Sequence, residues 1–181
     1  MYISLGGNCS VTYQLNKYKL RNTSYPFDWT KISINQLITV LENDFVDYDI
    51  LNIRSFSEKH DNTLLLSNKY NIQFAHEIKD ETELNIFKNK IIKRIIKFKN
   101  LLNPIFIRLE LQPINQNYKN KIILLNSLLS KYFIDYKLII IINSKINFES
   151  LPSNIIIYKY NDFSPDWQMN HLEWEKYFCI K

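Results

Sequence analysis

The sequence contains few of the residues that make unstructured or cross-linked proteins. Of its 181 residues, only two are glycine, five are proline and two are cysteine. So few glycines and prolines exclude a linker-rich or low-complexity chain, and two cysteines exclude a disulfide scaffold. Hydrophobic residues make up 46% and charged residues 23%, which is typical of a globular protein. This length is typical of one domain, so we predict a single domain over residues 1–181.

Long apolar segments are also missing. The longest run of apolar residues covers residues 138–142, whereas a membrane-spanning helix needs about 20. The chain starts with a short apolar strand pattern and lacks the basic region of a signal peptide. We therefore expect a soluble protein without a membrane partner, in a reducing compartment such as the cytoplasm, or the host cytoplasm for a viral protein.

Arginine and alanine are scarce too. The net charge of +5 comes mostly from lysine, since only four of the 23 basic residues are arginine. Proteins that recognise the phosphates and bases of nucleic acids rely on arginine, so the composition argues against a nucleic-acid partner. Frequent isoleucine, asparagine and lysine, with Ala75 as the one alanine, indicate an AT-rich genome such as that of a large DNA virus.

Short apolar segments alternate with helical patterns through the second half of the chain. Runs of isoleucine between helices favour a parallel sheet covered on both faces. We predict an α/β fold: a three-layer, mostly parallel (Rossmann-like) sheet with a β-hairpin insertion at residues 64–66 and 70–74. The other predicted strands cover residues 1–5, 105–109, 137–142 and 155–158, and the helices cover residues 10–20, 33–42, 80–100, 115–132 and 167–178. Residues 44–62 fit neither pattern.

Polar residues at the ends of the predicted strands are candidate ligand-binding groups, because open α/β sheets bind ligands at the carboxyl ends of their strands. Asn8 follows the first strand, Arg108 lies near the end of the strand at 105–109, and Asn143 follows the strand at 137–142. A charged residue in an apolar strand must be paired or must face a ligand. Arg108 therefore has either a carboxylate partner, such as Asp28 or Glu110, or an anionic substrate.

Cys9 is the candidate nucleophile. It lies between the first strand and the first helix, where backbone N–H groups carry a partial positive charge that lowers the pKa of a thiol. The same N–H groups would stabilise an oxyanion. Alternatively, Cys9 is a small packing residue beside the glycine pair Gly6 and Gly7. Cys179, near the end of the chain, is interpreted as a packing residue.

A cysteine nucleophile needs a base, and His76 is the best placed of the three histidines because it directly follows a predicted strand. Asp28, among bulky rings, is a candidate to orient the histidine, or else it stabilises its own loop. The histidines and cysteines are too scattered for a metal site, and the single glycine pair lacks the rest of a dinucleotide fingerprint. We therefore expect neither a metal nor a cofactor.

These residues lie in segments that resemble a known family. The segments ISLGGNCSV (residues 3–11), LRN (20–22) and SYPFDW (24–29) look like the opening of the putative papain-like cysteine peptidases, a domain family of unknown function in bacteria and giant DNA viruses. FAHE at residues 74–77 and IFIR at 105–108 are similar but less specific. The resemblance implies a thiol protease or related hydrolase of peptide or acyl substrates, with Cys9 as nucleophile and His76 as base.

Two alternatives remain open. In a Rossmann-like transferase acting on sugars or nucleotides, Cys9 would pack in the core while Asn8, Arg108 and Asn143 bind the ligand. In a non-catalytic interaction module, Cys9 would be buried without an adjacent histidine. The later strands alternate with helices, which papain-like enzymes do not show, so the resemblance and the strand pattern point to different folds. Nothing in the sequence predicts the oligomeric state.

Overall fold

The computed structural model describes residues 1–60, 63–112, 114–161 and 166–179. Within these ranges the strands are β1 (Tyr2–Ser4), β2 (Thr30–Lys31), β3 (Leu51–His60), β4 (Thr63–Asn68), β5 (Gln73–Phe74), β6 (Ile105–Glu110), β7 (Lys137–Asn143) and β8 (Ile155–Tyr160). The helices are α1 (Ser10–Lys17), α2 (Ile34–Glu42), α3 (Leu84–Lys99), α4 (Tyr118–Leu129) and α5 (Trp174–Tyr177), with a 3₁₀ turn at Glu81–Glu83.

A parallel sheet of four strands confirms the predicted α/β class. The strand order is β1-β6-β7-β8, and every neighbouring pair is parallel. The carboxyl ends of these strands therefore share one edge of the sheet, as the sequence predicted. Long connections join these strands because parallel strands require crossovers, and the one between β6 and β7 contains α4.

A second sheet is antiparallel, with the order β2-β5-β4-β3. The two strands of the predicted hairpin lie here as β4 and β5, in register at Leu66 and Phe74. Strands β2 and β3 were not predicted, since β2 is only two residues long and β3 lies entirely in the segment at residues 44–62 that fitted no pattern. The finer prediction, a hairpin insertion in a three-layer Rossmann-like sheet, stays a prediction.

The core follows the side-chain alternation of the parallel strands. Phe106, Leu138 and Ile140 belong to a cluster shared with α2, α3, α4 and the antiparallel sheet. Ile107 and Ile139 belong to a second cluster, shared with α1 and the C-terminal segment. Both faces of these strands are buried, which explains why they read as continuous isoleucine runs.

Helix ends are set by local hydrogen bonds. Ser33 and Gln36 form a reciprocal capping box at α2, which begins where the sequence predicted the helix at residues 33–42. The predicted C-terminal helix was wrong over most of its length: only Trp174–Tyr177 is α-helical. Asp166 instead accepts backbone N–H bonds from Gln168 and Asn170, which closes a turn. No helix of the described ranges is long and apolar enough to cross a membrane.

Candidate active site

The turn that carries Cys9 depends on two glycines. Gly6 and Gly7 have φ angles of +74° and +99°, which residues with a side chain rarely adopt. A Cβ atom on Gly7 would lie 2.0 Å from the carbonyl oxygen of Leu109, and one on Gly6 would lie 2.2 Å from Ile32 Cγ2. Glycine therefore lets the turn after β1 lie directly against β6 and the segment after β2.

Asn8 organises the start of α1. Its Oδ1 accepts the backbone N–H of Ser10 at 2.9 Å, which satisfies one of the free N–H groups at the start of the helix. Cys9 itself occupies the cap position, and its thiol makes no capping hydrogen bond. The thiol therefore lies at the N-terminal end of the helix without being used to hold it.

Cys9 and His76 line one cleft, of about 560 Å³, which we call the Cys9 cleft. Cys9 comes from the end of β1 in the parallel sheet, whereas His76 follows β5 of the antiparallel sheet. The imidazole packs edge-on against Trp29, with 5.7 Å between the ring centroids. Other residues of this cleft include Asn8, Lys31, Gln73, Leu111 and Trp167.

Electrostatics at Cys9 correct one expectation. Burial raises the pKa of the thiol to about 11, and the negative charge of Glu77 adds to the effect. The prediction of a lowered pKa is therefore wrong, because loss of hydration and the charge of Glu77 both raise it. In the isolated protein Cys9 is a thiol at neutral pH.

Glu77, the residue after His76, is held by Arg94 of α3. Nη1 of Arg94 lies 2.6 Å from Oε1 of Glu77, and Nη2 lies 3.0 Å from Oε2. Both side chains are largely buried. The guanidinium of Arg94 also packs over the ring of Phe87. This ion pair ties the segment that carries His76 to the neighbouring helix.

Asp28 is fully buried, and its contacts stabilise its own loop. Its Oδ2 lies 2.7 Å from Nη2 of Arg21 and accepts the backbone N–H of Tyr25 at 2.6 Å. Thr12 Oγ1 donates to Oδ1. Burial raises the pKa of Asp28, and the Arg21 charge opposes that shift. These contacts favour the structural alternative; a role in orienting His76 stays a prediction.

The predicted substrate-binding residues lie in different places. Asn8 lines the Cys9 cleft. Arg108 is completely buried, and its guanidinium donates to Glu110 and to the carbonyls of Leu5 and Ile32. The Nδ2 atom of Asn143 is buried with no hydrogen-bond partner among the described residues. Ligand roles for Arg108 and Asn143 stay predictions, and the contacts of Arg108 are those of a structural residue that joins the two sheets.

A second depression, of about 450 Å³, continues from the Cys9 cleft. We call it the polar groove, and it shares Asn8, Lys31, Gln73 and Leu111 with the cleft. Its other residues include Ser33, Gln36, Asn71, Gln112, Tyr118 and Lys121. The sequence does not predict this groove, because its residues come from distant segments. Lys31 offered the one local signal, since it follows the SYPFDW segment by two residues.

No group of three or more histidine, cysteine, aspartate or glutamate residues in the described part of the chain is arranged to hold a metal ion.

The fold and the cleft together define an α/β protein in which a cysteine at a strand-to-helix turn and a histidine face the same space. Residues 1–145 match the family described as "Putative papain-like cysteine peptidase (DUF1796)", and the chain belongs to that family. The resemblance found in the sequence is thereby confirmed.

The chain is also similar to a viral protein. The chain is 31% identical over 140 residues to an uncharacterised protein of Acanthamoeba polyphaga mimivirus. The aligned part covers 62% of this chain and 63% of the relative, so the chain spans less than two thirds of the relative's length. No solved structure matches this chain.

Proposed function

We propose that this protein is a papain-like cysteine hydrolase that cleaves a peptide or a related acyl bond, with Cys9 as nucleophile and His76 as general base. The observation that carries the proposal is that both side chains line the Cys9 cleft, although they come from different sheets. Both also lie within the span that matches the family.

The raised pKa of Cys9 determines how the nucleophile forms. With its pKa raised to about 11, Cys9 is almost entirely protonated at pH 7. The proton must therefore leave during attack. His76 takes the proton as the Cys9 sulfur bonds to the substrate carbonyl, and it returns that proton to the leaving group as the scissile bond breaks. Water then hydrolyses the thioester, with His76 again as the base.

The oxyanion of each tetrahedral intermediate needs donors beside Cys9. Backbone N–H groups at the start of α1 point toward this end of the helix, and the side-chain amide of Asn8 lies in the same cleft. Oδ1 of Asn8 is already used by Ser10, which orients the amide and leaves its Nδ2 group for a substrate oxygen.

Asp28 would act through its loop. Thr12 Oγ1 donates to Asp28 and lies 3.4 Å from the backbone nitrogen of Trp29, whose ring packs against His76. Asp28 and Arg21 therefore fix the loop that supports the imidazole. In this scheme the pair that restrains the histidine segment itself is Glu77 and Arg94.

The raised pKa of Cys9 also favours a second candidate, a transferase that binds a sugar or nucleotide in the polar groove while Cys9 only packs. Replacing Cys9 by alanine separates the two candidates. Hydrolysis of peptide or acyl substrates is abolished in Cys9→Ala if Cys9 is the nucleophile, whereas a transferase keeps its activity.

The thiol can be tested before a substrate is known. Alkylation of Cys9 by iodoacetamide would be followed from pH 5 to 11 in a Cys179→Ser background, with His76→Ala and, as a matched control, His171→Ala. We expect His76→Ala to slow alkylation near neutral pH by about 100-fold, as for loss of a general base, and His171→Ala to leave it unchanged. An inert Cys9, or one indifferent to His76, would overturn the proposal.

A further inference from the structure

Lys31 stands at the junction of the Cys9 cleft and the polar groove, and it lines both. Thr30 and Ile32 on either side of it are buried, so the alternation of the extended chain turns Lys31 outward. Arg108 donates to the carbonyl of Ile32, and Thr30 Oγ1 donates to the carbonyl of Phe27. The backbone that carries Lys31 is therefore held on both sides.

No described residue neutralises the positive charge of Lys31. Within the described ranges, its ammonium group has neither an ion-pair partner nor a hydrogen-bond acceptor. Glu110, the acidic residue of the polar groove, is bound by Arg108 and Tyr118. Glu77, beside His76, is bound by Arg94. These two carboxylates are thus already paired, so among the described residues the charge of Lys31 is left for a ligand.

Gln73 supplies a second donor next to this charge. It lies directly opposite Lys31 in the register of β2 and β5, so the two side chains leave the same face of the sheet. Its amide also makes no hydrogen bond to a described residue. An ammonium and an amide side by side match the two oxygens of a single carboxylate, which carries one charge.

We propose that the substrate carries a carboxylate side chain beside the bond that Cys9 attacks, and that Lys31 and Gln73 bind this carboxylate where the cleft meets the groove. The proposal rests on the proposed function. The rings of Trp29 and Trp167 line the other part of the Cys9 cleft and would take an apolar group of the same substrate.

A pair of alkylating reagents tests this selectivity without a known substrate. Iodoacetate and iodoacetamide both transfer a carbon to the Cys9 sulfur and release iodide, but only iodoacetate is an anion. In the Cys179→Ser background, we expect Lys31→Gln to slow iodoacetate about threefold, with a smaller effect in high salt. The readout is the ratio of the iodoacetate rate to the iodoacetamide rate, because any change in the thiol itself affects both reagents. Lys31→Arg should retain the wild-type ratio.

The matched control is Lys137→Gln, which removes the same charge from an exposed residue at the opposite edge of the parallel sheet. Equal ratios of the two rates in Lys31→Gln and Lys137→Gln would overturn the carboxylate proposal, while the dependence on His76 would leave the hydrolase proposal intact. Cys9 that reacts with neither reagent would instead overturn the hydrolase proposal.

A second measurement reads the charge of the cleft without a reactive thiol. Iodide and neutral acrylamide quench the fluorescence of Trp29 and Trp167, whereas Trp174 is buried and responds little. We expect Lys31→Gln to lower the iodide quenching constant about twofold relative to that of acrylamide. If the ratio of the iodide to the acrylamide quenching constant in Lys31→Gln equals the wild-type ratio, the carboxylate proposal is overturned, whether or not Cys9 is catalytic.

Discussion

Arg94 holds Glu77 through two parallel contacts of 2.6 and 3.0 Å, and Glu77 directly follows His76 in the chain. The pair has two effects on the cleft. It ties the histidine segment to α3, which restricts where the imidazole can lie. It also places a carboxylate close enough to Cys9 to raise the pKa of the thiol. One ion pair thus connects the position of the base with the acidity of the nucleophile.

Replacing Glu77 by glutamine should lower the pKa of Cys9 from about 11, because the negative charge that raises it is removed while the shape is kept. Burial, the larger cause, remains, so the pKa should stay above its ordinary value. The measurement is the pH midpoint of Cys9 alkylation in the Cys179→Ser background. Glu81→Gln, an exposed charge on the 3₁₀ turn, is the control and should leave the midpoint in place; a higher midpoint in Glu77→Gln would contradict the prediction.

The raised pKa of Cys9 also makes the stability of the fold depend on pH. The folded thiol, with a pKa of about 11, holds its proton more tightly than the unfolded thiol, whose pKa is near 9. This contribution to stability is complete below pH 9 and is lost as the pH rises through 11. It amounts to at most about 3 kcal/mol.

The test is urea unfolding at pH 8 and pH 10.5 for the Cys179→Ser protein and for the same protein with Cys9→Ala. The protein that retains Cys9 should lose more free energy of unfolding between the two pH values than its alanine variant. Equal losses of unfolding free energy in the two proteins would show that the Cys9 thiol has the same pKa in the folded and unfolded states.

Asp28→Asn should weaken folding much more than it alters the chemistry of Cys9. Removing one charge of the Asp28–Arg21 pair leaves a buried guanidinium without its partner, which costs about 3 kcal/mol or more. Urea unfolding measures this loss, and Arg21→Met combined with Asp28→Asn should recover part of it. If the variant remains folded and its pH profile of Cys9 alkylation shifts to lower pH, Asp28 would instead have a role in orienting His76.

Gly7→Ala should destabilise the protein by about 3 kcal/mol or more, because alanine resists a φ of +99° and its Cβ would overlap the Leu109 carbonyl. The free energy of unfolding in urea measures the effect. Glu42→Ala, at the exposed end of α2, is the control and should be nearly neutral. A variant as stable as the wild type would mean that β1 and β6 separate without cost at this point.

The sequence predicted the features that depend on neighbouring residues. The parallel strands, the capped start of α2 at Ser33 and the turn at Cys9 all follow from local patterns. His76 was found by its position after a strand and by the family resemblance. In contrast, the ion pair of Glu77 with Arg94 and the cross-strand register of Lys31 with Gln73 join distant segments, and no pattern within one segment specifies them. The pKa of Cys9 was predicted in the wrong direction because burial depends on the complete fold.

The Cys9 cleft takes its cysteine from the parallel sheet and its histidine from the antiparallel sheet. Neither sheet by itself contains both groups, so the pair exists only after the sheets have docked. Arg108, which bonds to Leu5 at the end of β1 and to Ile32 after β2, is a direct link between them. Any loosening of this junction separates the cysteine from the histidine while each sheet keeps its own hydrogen bonds. Reactivity at Cys9 is therefore a more sensitive reporter of the junction than secondary-structure content.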